Sequence, residues 1–168
     1  MIEEELIERA KEIERKLSQY KLWGNMIPRN SWYSNLRNIL PKNEWDKIRK
    51  MVYKHYNYSC AICKGSGPLH AHESWVYDYD ESKQTLKDIL ALCYLCHMSQ
   101  HLGYVQVKLI PSGELTMEEL ELHWMRVNKG KTKKEFEDHK YLAFELWEIR
   151  SLISWKVYDQ NGILLSEL

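Results

Sequence analysis

Two short motifs constrain this chain more than any other feature: Cys60-Ala-Ile-Cys63 and Cys93-Tyr-Leu-Cys96. They hold all four cysteines, so none is left over. A Cys-x-x-Cys turn presents two thiolates to one ion, and two such turns complete a tetrahedron around Zn2+. The competing readings are a redox dithiol or four buried thiols. A four-thiolate zinc has no open position for water, so such a site is a staple and not a reaction centre. Gly65 and Gly67 suit the tight turn after the first pair. The 29 residues between Cys63 and Cys93 exceed a compact zinc ribbon and predict a β-hairpin with an excursion.

The rest of the chain sets wide bounds. Its 168 residues fit one domain, or a small core with extensions. The 44% of hydrophobic residues, with seven Trp and eleven Tyr, suffices for a packed globule. No apolar run approaches the roughly 18–20 residues needed to span a bilayer, and the start, MIEEELIERA, is unlike a secretory signal. A soluble intracellular protein with no membrane partner is expected. The formal net charge is zero, which argues against a protein that coats nucleic acid. The charge is segregated, however. Residues 29–58 hold Arg29, Arg37, Lys42, Lys47, Arg49, Lys50 and Lys54 against Glu44 and Asp46.

Periodicity predicts an amphipathic helix over residues 2–18, with Ile2, Leu6, Ala10, Ile13 and Leu17 on one face. A second helix is expected over 43–56, directing Trp45, Ile48 and Val52 inward, with His55 as a further candidate. Alternation in YVQVKLI, after Gly103, reads as a strand. Thr116 with Glu119 and Thr132 with Glu135 each fit a capping box, opening helices near 117–127 and 133–152. Asn161-Gly162 suits a terminal hairpin. The expected class is α+β: a helical extension over 1–58, a zinc-stapled core over 59–103, and a strand with helices over 104–168.

His97 follows Cys96 directly, and His101 lies four residues on. On a helix these share one face and can reach one metal. His70, His72 and Glu73 enter from the excursion between the cysteine pairs, whose ends a zinc would hold together. A second, open site of histidine and carboxylate follows as an expectation.

The order C-x-x-C, a histidine element, then C-x-x-C-H-x-x-x-H resembles the HNH endonucleases of the ββα-metal type that carry a structural zinc. CAIC…LHAHESW…DILALCYLCHMSQH holds the resemblance, over about 45 of the 168 residues; the flanks look like bacterial and phage proteins grouped with these nucleases. The resemblance implies a one-metal phosphodiesterase in the cytoplasm of a bacterial or phage-infected cell, cutting DNA with Mg2+, Mn2+ or another divalent ion. It places Cys60, Cys63, Cys93 and Cys96 on zinc, His97 and His101 on the catalytic metal, and His72 as general base. Asp88 stands where the family has an asparagine that orients the base.

Ala71 stands where the family has a metal ligand. Three arrangements follow: His72 becomes the ligand and Glu73 the base; His72 stays the base and Glu73 is recruited to the metal; or the site is silent and only a zinc module persists, gripping nucleic acid or a protein partner. Phosphate contacts are expected from Arg29, Arg37, Lys47, Arg49, Lys50 and Lys54, among exposed members of Trp32, Tyr33, Tyr53, Tyr56 and Tyr58. Lys129, Lys131, Lys133 and Lys134 form a secondary candidate patch. Trp124, Trp147 and Trp155 are expected to pack.

Overall fold

The computed structural model describes residues 3–32 and 34–167. The chain is α+β, with seven α-helices and one four-stranded sheet among the described residues. Helix α1 (Glu4–Leu17) buries Ala10, Ile13 and Leu17, the expected stripe; Ile2 and Tyr33 lie outside the described residues. A short turn of helix, α2 (Leu36–Ile39), precedes α3 (Lys42–His55). Helix α3 buries Trp45 and half-buries Ile48 and Val52, but His55 is exposed, contrary to expectation. It lies at the last turn, where the chain is already leaving the core.

Strands β1 (Leu69–Asp78) and β2 (Lys83–Cys93) form the antiparallel hairpin expected between the cysteine pairs. Leu69 faces Cys93, so the register delivers β2 into the second cysteine pair, and α4 (Tyr94–Gln100) begins at once. The last hairpin, β3 (Lys156–Tyr158) with β4 (Leu164–Glu167), turns through Gly162 at φ 79°. Strand β3 lies parallel to β2, so the sheet order is β1-β2-β3-β4 and the C-terminal segment completes the core sheet.

Residues 104–110 are helical and not a strand. Helix α5 (Leu102–Tyr104) runs into a π-helical turn, Val105–Leu109. The alternating valines misled because Leu102, Val105 and Leu109 also have helical spacing. Those three are buried while Val107 is exposed. Helices α6 (Met117–Val127) and α7 (Lys133–Arg150) start where their caps predict. Thr116 and Glu119 complete the reciprocal box. At Thr132 the hydroxyl accepts from the Glu135 N–H at 3.2 Å. Among the described residues no helix is long and apolar enough to cross a membrane.

Two buried polar groups tie α7 to the rest of the core, one at the end of β1 and one at the loop after α1. Arg150 donates to the Tyr79 hydroxyl at 3.0 Å and to Asn25 Oδ1 at 2.7 Å, with its guanidinium 3.8 Å over the Tyr77 ring. His139 Nε2 accepts the Gly24 N–H at 2.9 Å. Gly24 is fitted closely, since a Cβ there would meet Leu102 at 2.6 Å. Trp124 and Trp155 are fully buried, as expected of packing residues.

Burial lowers the pKa of His139 from 6.5 to about 4. Between those values the unfolded chain takes up a proton that the folded chain refuses. Stability from this group is therefore present above pH 6.5 and lost as the pH falls towards 4. Denaturant unfolding of His139→Gln should show a flatter acid limb than wild type, by at most about 3 kcal/mol. Parallel limbs would contradict the assignment.

Candidate metal centres

The first centre starts in the turn after α3. Asn57 and Tyr58 take positive φ, turning the chain so that Cys60 points inward. The Ala61 N–H then donates to Ala91 O at 2.8 Å, fastening the turn to β2. Cys60 N–H donates to Gly65 O, closing the knuckle. Gly65 N–H donates to Cys63 Sγ at 3.4 Å, and Gly67 adopts φ 121°, which favours glycine. On the other side Cys93 is the N-cap of α4, its Sγ accepting the Cys96 N–H at 3.5 Å.

The four sulfurs lie 3.7–3.9 Å apart. Zinc–sulfur bonds of about 2.3 Å in a tetrahedron separate sulfurs by about 3.8 Å, so donor set and spacing fit zinc. The thiols perturb one another strongly. Hydrogen bonds from Cys93 and Cys96 push the Cys60 thiol down, while sharing with Cys60 pushes Cys96 up and Cys93 up to about 11. Four thiolates at this distance are sustainable only around a cation.

The second centre is imidazole. His72 comes from β1, while His97 and His101 come from the middle and end of α4. One ring nitrogen from each lies within 4.8 Å of the others. His97 Nε2 and His101 Nε2 are 3.1 Å apart. Metal–nitrogen bonds of about 2.1 Å place neighbouring nitrogens about 3.0–3.4 Å apart, so this pair is already at ligand spacing. Burial lowers the pKa of all three: His72 well below its usual value, His97 to about 3 and His101 to about 4. They are neutral at working pH, with lone pairs free to bind.

The other candidate residues are placed unevenly. His70 stays outside the trio; its Nδ1 lies 2.7 Å from His97 Nδ1, on the ring edge away from His101. Glu73 is buried but also outside the trio. Its Oε1 accepts the Leu36 N–H at 2.8 Å, pinning α2, and its Oε2 has no partner. Burial raises its pKa to about 7. Asp88 is exposed opposite Ser74, and its carboxylate accepts from its own neighbour's Ile89 N–H. The structure does not bring it to His72.

The histidines floor a cleft of about 440 Å³ walled by Trp32, Arg37, Trp45, Tyr94 and Tyr104. It adjoins a groove that shares Arg37, Trp45, His70 and His97 with it and continues to Arg49 and Tyr53. Trp32, exposed at the mouth, meets His101 edge-on at 5.6 Å. Of the basic residues, Arg29 lies over Trp147 at 4.5 Å and within 3.6 Å of Glu148, and Arg49 is bound to Asp46. Arg37, Lys47, Lys50 and Lys54 are exposed and make no ion pair among the described residues. Lys131 and Lys134 pair with Glu135 and Asp138.

One residue at the first centre was not singled out from the sequence. His123 on α6 reaches Cys96 Sγ with Nε2 at 3.1 Å. Its only local signal is a histidine on the apolar face formed by Leu120, Trp124 and Val127.

Fold and sites together define an α+β protein in which a β-hairpin and the helix after it join a cluster of four cysteines, close enough together to hold a metal ion, to a cluster of three histidines. Comparison of the chain with protein-family models, with curated proteins and with solved structures returned no match.

Because the cysteine cluster lies between the turn after α3 and the β2–α4 joint, a metal held there would contribute folding energy. Purified wild type should carry one tightly held zinc per chain. Cys60→Ser should lose it together with solubility or cooperative unfolding, read by metal analysis and circular dichroism. A well-folded wild type without metal would contradict this.

Proposed function

We propose that the chain is an HNH-type endonuclease that hydrolyses DNA phosphodiesters with one divalent metal. The four-cysteine zinc is the staple and the histidine trio the reaction centre. The observation that carries this reading is the convergence of His72, from a strand, with His97 and His101, from a helix that begins inside the cysteine cluster. A metal held there would supply positive charge to the phosphate and to the departing 3′ oxygen.

The chain's own residues supply the remainder. With His72 in the trio, the base role falls to Glu73, which lines the same cleft and whose buried Oε2 has no hydrogen-bond partner. Its carboxylate takes the proton of the attacking water, the water oxygen bonds to phosphorus, and the bond to the 3′ oxygen breaks. His70 holds the ring of His97 through the short Nδ1–Nδ1 contact. Arg37 sits at the junction of cleft and groove, where a flanking phosphate would pass. Lys47, Lys50 and Lys54 extend the positive surface along α3.

An all-imidazole set suits manganese, cobalt, nickel or zinc better than magnesium, which prefers oxygen ligands. Supercoiled plasmid should therefore be nicked with Mn2+ or Co2+ at least about tenfold faster than with Mg2+. His97→Ala should abolish nicking. Glu73→Gln should slow it by about 10²–10⁴ while DNA binding persists.

A second reading, a silent zinc module that binds nucleic acid or a protein, is favoured by Ala71 at a ligand position and by Asp88, which is exposed and accepts from the Ile89 N–H rather than from His72. Wild type that binds DNA yet cuts with no metal would establish it over the first.

A further inference from the structure

The strongest unassigned chemistry lies behind the cysteine cluster. Arg126 Nη2 is 2.8 Å from His123 Nδ1. A guanidinium only donates, so Nδ1 must present its lone pair. The imidazole proton then sits on Nε2, which is 3.1 Å from Cys96 Sγ. The tautomer is thus fixed by an exposed arginine, and the proton points at a sulfur.

The backbone supplies other donors to this cluster. Cys63 Sγ receives the Gly65 N–H and Cys93 Sγ receives the Cys96 N–H. Outside the four cysteines, the neighbour that hydrogen-bonds Cys96 Sγ among the described residues is His123. His123 is only 3% exposed and lies among apolar residues of α6. An imidazole buried there is costly unless satisfied, and both of its nitrogens are.

We propose that His123, locked by Arg126, is the positioning residue of the four-cysteine centre: it donates a hydrogen bond to the Cys96 thiolate and so ties the zinc to α6. Cys96 immediately precedes His97. The same bond therefore fixes the first turn of α4, from which the histidine cluster is built. A donated N–H also draws charge from the sulfur, making it slower to take a proton or an oxidant and release the metal. This inference rests on the zinc site and stands whether or not the chain cuts DNA.

The test uses the full chain, zinc-loaded for release and cobalt-substituted for spectroscopy. His123→Leu, which keeps bulk but no donor, should pass zinc to a chelator about tenfold or more faster than wild type. Its sulfur-to-cobalt charge-transfer band should shift. His123→Gln, which keeps an N–H donor, should stay within about threefold of wild type. Equal release from wild type and His123→Leu, or equal acceleration in the Leu and Gln variants, would overturn the proposal. Should His123→Leu fail to fold, the surface change Arg126→Leu takes its place. It frees the tautomer and should speed release, and an unchanged rate would overturn the proposal. Nitrogen NMR of the zinc-loaded wild type should show His123 protonated at Nε2 and bare at Nδ1; the opposite tautomer would overturn it.

Discussion

Four sulfurs at tetrahedral spacing hold the rest of the site in place. They bring the turn after α3 together with the β2–α4 boundary. From that joint three placements follow. The hairpin register is anchored where Leu69 meets Cys93. Helix α4 starts with its orientation set by two of its first residues, since Cys93 caps it and Cys96 lies in its first turn. His97 and His101 then face β1, where His72 waits three residues beyond the register anchor. The four-cysteine and three-histidine clusters are therefore coupled through one short helix.

The histidine trio gains its character from burial. Each ring is held neutral by desolvation, and the rings lie steeply inclined to one another with centroids 4.8–5.3 Å apart. Three lone pairs with no nearby carboxylate ligand make a softer site than the carboxylate-bearing alternative allowed by the sequence. Glu73 is withheld from the trio because the Leu36 N–H claims one of its oxygens. The same contact seats α2 and brings Arg37 to the cleft. One carboxylate thereby shapes the mouth of the site, while its second oxygen is buried without a hydrogen-bond partner.

Much of this was legible in the sequence wherever the signal was local. The cysteine pairs, the hairpin between them, the stripe of α1 and the caps at Thr116 and Thr132 all rest on spacing over a few residues. His97 and His101 were legible for the same reason. What failed was long-range or degenerate. Val105, Val107 and Leu109 satisfy strand alternation, but burial of Leu102, Val105 and Leu109 at helical spacing decided the outcome. Asp88 was assigned by its distance from Cys93, yet a bulge between Ser74 and Trp75 shifts the hairpin register beside it, and its side chain faces solvent. The partners of Glu73 and His123 lie 37 and 27 residues away, and no local pattern reports them. The parallel pairing of β3 with β2 was hidden in the same way.

In the proposed reading, one hairpin and one short helix build two metal sites of different chemistry. Anomalous diffraction from crystals of the zinc protein soaked in manganese tests it most directly. One zinc peak is expected among the four sulfurs at about 2.3 Å and one manganese peak among the nitrogens of His72, His97 and His101 at about 2.1–2.2 Å. A second ion bound instead at Glu73 or Asp88, or no second ion beside fully occupied zinc, would contradict it.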